Sequence, residues 1–86
     1  MATFTVEYVF DPEKYDERAA AREAHRTFVE QLTREGHLLT SGSRGNVGTF
    51  LVVDAKDEAA VRELIHGDPF RDVVTSVAID ELVPED

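Results

Sequence analysis

Apolar and polar residues alternate along the first ten positions of the chain. The apolar side chains fall on one face of an extended segment: Phe4, Val6, Tyr8 and Phe10. This period of two predicts a β-strand over residues 2–10 with one heavily apolar face. Asp11-Pro12 follows, and because this pair favours a turn, we expect the strand to end there.

The period then changes to that of a helix. Apolar residues between positions 15 and 34 recur every three or four residues and form one stripe: Ala21, Ala24, Phe28 and Leu32. We therefore predict a helix over residues 15–34, with Gly36 as its C-terminal cap. Two short apolar runs predict strands over residues 38–41 and 49–54, and segment 42–46 between them has the composition of a hairpin loop.

A second helix is expected after Asp57, its N-cap, and should end at Gly67. Residues 73–82 predict the last strand, and residues 84–86 a frayed tail. The resulting order is strand, helix, strand, strand, helix, strand. Right-handed crossovers fold this order into an α+β domain of the ferredoxin-like type, a four-stranded antiparallel sheet with two helices on one face.

The second face of this sheet also needs a cover. Residues 50–53 are apolar on both faces, and so is much of segment 73–82. A strand that is apolar on both sides is typically buried on both sides. We expect residues 1–86 to form one domain, and a core of this size is only marginally stabilising. These observations predict a homodimer packed sheet to sheet.

Charge narrows the classes of partner. The chain carries 18 acidic and 9 basic residues, a formal net charge of −9, and no cysteine. Such a surface repels phosphate backbones, so neither nucleic acid nor an anionic membrane is an expected partner. The first residues lack the basic and apolar runs of a signal peptide, and we expect a cytoplasmic location. Seven of the nine basic residues are Arg, several near His25, which favours an anionic ligand there, although acidic charge also simply aids solubility.

His25 and Asp68 are the candidate chemical groups. His25 lies at the edge of the apolar stripe of the first helix, and a half-buried imidazole near a carboxylate can act as a general base. Asp68 precedes Pro69, so the second helix must end there, beside the first helix in this topology. Asp68 could therefore reach His25. The alternatives are a packed structural histidine and a carboxylate that caps a local amide.

Six further residues are candidates for binding a ligand around this pair: Arg18, Arg22, Ser41, Gly42, Tyr8 and Phe70. The two arginines lie on the same side of the helix as the histidine. The glycine would allow a ligand to approach the backbone, beside a serine that can donate a hydrogen bond. The tyrosine hydroxyl could face a cavity or belong to the core, and Phe70 is an apolar anchor for its turn. No histidine spacing fits a metal site and no nucleotide-binding motif is present, so we expect neither metal nor cofactor.

Four short motifs occur in an order that resembles the YciI-like (YCII-related) family of the dimeric α/β-barrel superfamily: Phe4–Tyr8, Arg22–Phe28, Gly36–Gly42 and Asp68–Phe70. The resemblance covers the chain from about Phe4 to Pro84. It implies a ferredoxin-like fold in a dimeric barrel, a small cytoplasmic protein without cofactors, and an active site that pairs His25 with Asp68. Some members act as lyases or dehydrochlorinases in aromatic breakdown.

Two functions remain open at this point. The first is a cofactor-independent lyase or isomerase in which His25 removes a proton from a small carbonyl or phenolic substrate while Asp68 orients the imidazole. The second is a non-catalytic dimeric module that binds a small molecule or serves as an accessory domain. Both require the same pocket, so the sequence does not separate them.

Overall fold

A computed structural model describes residues 1–85 of the chain; Asp86, the end of the predicted tail, lies outside the described residues. Four strands form one antiparallel sheet: β1 (Ala2–Phe10), β2 (Leu38–Arg44), β3 (Gly48–Ala55) and β4 (Val74–Glu81). Their order across the sheet is β2-β3-β1-β4. Together with two helices this is the ferredoxin-like fold, which confirms the predicted fold class.

The helices begin and end close to where the sequence places them. Helix α1 spans Tyr15–Arg34 and α2 spans Glu58–Ile65. Gly36 follows α1 with a φ of 82°, the left-handed conformation that favours glycine, so the predicted cap is confirmed. Asp57 accepts a hydrogen bond from the Ala60 amide at 2.9 Å and caps α2.

The core lies between the sheet and the helices. Val6 of β1, Leu51 of β3 and Ile65 of α2 are fully buried in it, together with Leu32 of α1, which is nearly so. Paired residues of antiparallel strands share a face, and Val6 pairs with Leu51. The alternation seen in the sequence therefore places the apolar side of β1 under both helices. No helix within residues 1–85 has the length and apolar character to cross a bilayer.

Two boundaries differ from the predicted ones. Strand β2 continues to Arg44 rather than ending at Ser41, because Gly42 and Ser43 still pair with β3 across a short hairpin. The last strand, predicted over residues 73–82, is β4 over Val74–Glu81, and it is preceded by a 3₁₀ turn over Pro69–Val73 that the sequence pattern did not predict. Periodicity misses this turn because its apolar residues face the core like those of a strand.

The outer face of the sheet, away from the helices, is mostly polar. Thr5 and Glu7 of β1 lie there beside Val52 and Phe50 of β3, which pair with them and are half-buried. A Cβ atom on Gly42 of β2 would lie 2.8 Å from the Phe50 ring, so the glycine leaves room for this ring across the strands. Phe50 and Val52 are thus half-buried apolar side chains on a mostly polar face, to which the exposed Val9 of β1 also belongs.

Candidate active site

The turn after α2 fixes Asp68. Its backbone is extended, Pro69 begins the 3₁₀ turn, and the Asp68 carboxylate oxygen Oδ1 accepts a hydrogen bond from the Phe70 amide at 3.0 Å. This is the local cap that the sequence offered as one interpretation of Asp68. The cap leaves both carboxylate oxygens of Asp68 able to accept further hydrogen bonds, from α1 and from β1.

His25 of α1 takes up part of that capacity. Its Nδ1 atom lies 2.8 Å from Asp68 Oδ1, and its side chain is 13% exposed whereas that of Asp68 is fully buried. The imidazole also stacks on the Phe70 ring, with centroids 3.9 Å apart and planes 15° apart. The turn after α2 therefore contacts the histidine ring at its edge through Asp68 and at its face through Phe70.

Tyr8 of β1 completes the cluster from below. Its hydroxyl donates a hydrogen bond to Asp68 Oδ2 at 2.9 Å, and the residue is fully buried. Burial raises the pKa of Tyr8 above its ordinary value, and the charge of Asp68 and the hydrogen bond to it raise that pKa further, while Arg71 acts in the opposite direction. Tyr8 is therefore a hydrogen-bond donor to Asp68 and keeps its own proton.

The hydrogen bonds determine which nitrogen of His25 is available. Asp68 accepts from the Phe70 amide and from Tyr8, so an ionised Asp68 is best satisfied when Nδ1 of His25 also donates. A neutral imidazole then carries its proton on Nδ1 and a lone pair on Nε2. Nε2 forms no hydrogen bond with residues 1–85, and since no side-chain nitrogen or oxygen of these residues is buried without a partner, Nε2 is open to solvent.

His25 lies in the wall of a cavity of about 410 Å³ between α1 and the β2–β3 hairpin. The cavity is lined by residues from both sides: Phe10, Arg18, Arg22, His25, Arg26, Val29, Ser41, Gly42, Ser43, Gly45, Asn46, Thr49 and Phe70. Its volume lies within the range of pockets that bind small molecules. The lining combines three arginines and other polar residues with the apolar side chains of Phe10, Val29 and Phe70.

The predicted site residues divide into two layers. Arg18, Arg22, Ser41, Gly42 and Phe70 line the cavity with His25. Asp68 and Tyr8 lie behind His25 and do not line it, so the Tyr8 hydroxyl belongs to the core, the second of the two positions considered for it. Tyr8 therefore has no direct access to a cavity ligand and reaches it only through Asp68 and the imidazole.

Seven residues that line the cavity were not among the predicted site residues: Phe10, Arg26, Val29, Ser43, Gly45, Asn46 and Thr49. Arg26 follows Arg22 by four residues and lies on the same side of α1, a signal that was present in the spacing. Phe10 and Thr49 were assigned only to the apolar face of one strand and the start of another. The Thr49 hydroxyl donates a hydrogen bond to the Gly42 carbonyl at 3.0 Å, which ties β2 to β3 beside the cavity.

Arg18 is held more firmly than an ordinary surface arginine. Its guanidinium carbon lies 4.4 Å from the centroid of the Phe10 ring and 4.9 Å from that of Tyr15. Its Nη1 donates a hydrogen bond to the Asn46 carbonyl at 3.3 Å. Cation–π contacts and this hydrogen bond fix a positive charge at the mouth of the cavity.

No cluster of three or more His, Asp or Glu side chains within residues 1–85 is arranged to hold a metal ion. The ionisable groups at the cavity are the His25 imidazole, the Asp68 carboxylate behind it and the guanidinium groups of the lining arginines. A lone pair that faces a positively lined cavity can accept a proton from a bound molecule.

By its fold and its cavity, the chain is a small ferredoxin-like protein in which a His–Asp pair lies at a pocket between helix α1 and the β2–β3 hairpin. The chain belongs to the YCII-related domain family, whose model matches residues 2–83. No curated protein matches its sequence.

Solved structures share the fold at low sequence identity. The 5-chloro-2-hydroxyhydroquinone dehydrochlorinase of Burkholderia phenoliruptrix, in complex with 2,5-dihydroxybenzoquinone, is 18% identical with a TM-score of 0.79, over 94% of this chain and 93% of that one. A protein of Nitrosomonas europaea provisionally described as an antibiotic biosynthesis monooxygenase is 16% identical with a TM-score of 0.65, over 98% of both chains. At these identities the likeness establishes the fold.

Tyr8→Phe removes the donor to a buried oxygen of Asp68, which we expect to lower the free energy of unfolding by about 1–3 kcal/mol. Because the two residues share a hydrogen bond, the costs of Tyr8→Phe and Asp68→Asn should deviate from additivity by about 1 kcal/mol. Urea denaturation of both single variants and the double variant measures this coupling. As the matched control, Tyr8→Phe combined with Thr3→Val on the same strand should be additive; additivity in both cycles would contradict the shared bond.

The raised pKa of Tyr8 predicts a loss of stability in alkali. Below the ordinary tyrosine value of 10.0 both states hold the proton, and the stabilisation is fully present. Above it the unfolded chain releases the Tyr8 proton while the folded chain keeps it, so the free energy of unfolding falls as pH rises. Urea titrations at several alkaline pH values should show a shallower fall for Tyr8→Phe. Tyr15→Phe, at an exposed position, should keep the slope of the unsubstituted protein, and an unchanged slope in Tyr8→Phe would refute the assignment.

Proposed function

We propose that the protein is a small cofactor-independent enzyme, a lyase or isomerase, in which His25 abstracts a proton from a ligand in the cavity. The observation that carries this proposal is the chain of hydrogen bonds from Tyr8 through Asp68 to His25 Nδ1, which leaves Nε2 open beside the cavity. The imidazole is thereby oriented before any ligand arrives. Preorganisation of this kind is what a general base needs.

In the proposed step, Nε2 takes a proton from carbon or from a phenolic oxygen of the ligand. When the C–H bond breaks, its electron pair moves onto the adjacent carbonyl oxygen and forms an enolate. The imidazole becomes an imidazolium, whose Nδ1 lies 2.8 Å from Asp68 Oδ1. The negative charge of the carboxylate stabilises the positive charge of the imidazolium. Asp68 orients the ring and does not itself take the proton, while its bond from Tyr8 holds the carboxylate in place.

The substrate class follows from the walls of the cavity. Arg18 and Arg22 are positioned for a negatively charged oxygen, and Ser41 and Gly42 border the opposite side. A small carbonyl compound or a phenol fits both the charge and the volume. The complex of the Burkholderia dehydrochlorinase with 2,5-dihydroxybenzoquinone supports a cyclic, oxygen-rich ligand of this kind.

A second candidate function is a non-catalytic module that binds a small molecule. It is favoured by the number of structural bonds that Asp68 makes, because a carboxylate with donors from three elements also stabilises a fold. In that case the cavity would hold a ligand without proton transfer. The two functions are separated by whether a bound compound exchanges its protons.

We further propose a cytoplasmic homodimer that associates through the outer face of the sheet. The half-buried Phe50 and Val52 on this face support it, since they give a mostly polar surface an apolar centre. Sedimentation at micromolar concentration should report a dimer, and Val52→Glu should shift it to the monomer by placing a charge in the interface. Val47→Glu, in the exposed hairpin, is the matched control and should remain dimeric. A monomeric unsubstituted protein would exclude the proposal.

Substitution of His25 tests whether it is the general base of the proposed proton abstraction. In D₂O, proton NMR should detect enzyme-dependent exchange of carbon-bound hydrogens in at least one of a panel of keto acids, phenols and hydroxyquinones that includes 2,5-dihydroxybenzoquinone. His25→Gln should slow this exchange about a hundredfold or more, the usual contribution of a general base. His66→Gln, at the exposed end of α2, should leave it unchanged.

The binding module makes the opposite prediction for the same panel. Compounds that bind by chemical-shift perturbation but show no exchange above the rate in buffer would reject catalysis. Equal exchange rates for His25→Gln and the unsubstituted protein would reject His25 as the base.

A further inference from the structure

Basic residues occur at a strict spacing along α1 and the turn before it. Lys14, Arg18, Arg22 and Arg26 follow one another at intervals of four residues. Side chains four residues apart are neighbours on a helix, and like charges in this arrangement repel one another. The last three members of the row line the cavity. Repulsion within the row therefore destabilises the folded protein locally. The row is also a local concentration of positive charge in a chain whose net charge is −9.

The three cavity arginines also lack acidic partners within the described part of the chain. The ion pairs of residues 1–85 join His25 to Asp68, Arg44 to Glu7 and Arg62 to Glu58, and none includes an arginine of the cavity. Arg18 and Arg22 have no acidic residue three or four positions away on α1. Arg26 does have Glu23 and Glu30 at these spacings, although it forms an ion pair with neither of them. Arg18 and Arg22 therefore line the cavity without an acidic neighbour one turn away on the helix.

A stack of rings fixes the distance between the first of these arginines and the base. The Arg18 guanidinium rests on Phe10, Phe10 meets the Phe70 ring edge to face with centroids 5.3 Å apart, and Phe70 stacks on His25. Arg18 precedes His25 by seven residues, which is roughly 10 Å along the helix axis. A fixed cation and a fixed base thus stand at a set separation along one wall.

The remaining two arginines lie near the other end of the wall. Arg22 precedes His25 by one helical turn, and Arg26 follows it directly in the sequence. Both are exposed, so their long side chains can adjust to a ligand. The wall also includes the apolar side chains of Phe10, Val29 and Phe70.

We propose that the cavity binds a small aromatic or conjugated dianion lengthwise along α1, with its distal carboxylate on Arg18 and its second anionic group on Arg22 and Arg26 beside His25. The inference rests on the proposed function, whose substrate class it narrows. A single negative charge would leave most of the row uncompensated. The volume of about 410 Å³ is large enough for a small ligand built on one ring.

Terephthalate and benzoate are the probes, because they share a ring and differ in the second carboxylate. Binding is followed by chemical-shift perturbation of the backbone amides around the cavity at low ionic strength. We expect terephthalate to bind about tenfold more tightly than benzoate, as one additional charge-assisted contact would give. Added salt should reduce the difference, since the arginines are partly exposed.

Arg18→Gln should remove most of this preference, whereas Arg22→Gln and Arg26→Gln should weaken both probes. Arg18→Lys tests the geometry, because a lysine keeps the charge without the planar group that stacks on Phe10, and we expect it to recover only part of the preference. Arg62→Gln is the matched control: it removes an arginine from the exposed face of α2 and should leave both affinities unchanged.

Equal affinities for the two probes, binding of neither probe, or an unchanged preference in Arg18→Gln would each overturn the proposal. His25→Gln separates it from the proposed chemistry, because this variant should still prefer terephthalate. A preference for terephthalate without proton exchange in any compound would reject the chemistry alone. Proton exchange without a preference for terephthalate over benzoate would reject the proposed dianionic ligand and leave the proposed chemistry intact.

Discussion

The site depends on the fully buried carboxylate of Asp68. Desolvation of a charged group costs several kcal/mol unless hydrogen bonds replace the lost water, and Asp68 meets that requirement with donors from β1, from α1 and from its own turn. Each donor is held in turn by the element that supplies it. Asp68 therefore ties together three parts of the fold, and the orientation of His25 follows from the same bonds that satisfy the carboxylate.

A stack of aromatic rings connects the buried Asp68 turn with the side chains that line the cavity. Phe70 belongs to the turn that Asp68 caps, and its ring supports His25 on one side and contacts Phe10 on the other. Arg18 rests on Phe10 in turn. A change in the turn would consequently move both the imidazole and the arginine. The site thus consists of a rigid inner layer and an adjustable outer layer formed by the exposed arginines.

Sequence patterns predicted the parts of this arrangement that depend on local structure. The spacing of apolar residues placed α1 and β1, and Asp68-Pro69 indicated both the stop of α2 and a carboxylate near His25. The bond between Tyr8 and Asp68 joins residues 60 positions apart, and it depends on strand register and on the depth of the turn, which periodicity does not encode. Arg26 was not among the predicted site residues, although its spacing of four residues from Arg22 is visible in the sequence.

The central claim is that Asp68 holds the neutral His25 ring with its proton on Nδ1 and a lone pair on Nε2. Nitrogen-15 NMR of imidazole-labelled protein, recorded at a pH where the ring is neutral, reports the tautomer directly through the shifts of the two nitrogens. The account predicts a protonated Nδ1 and an unprotonated Nε2 for His25, assigned by its loss in His25→Gln. A ring protonated on Nε2 would leave no base facing the cavity and would contradict the account.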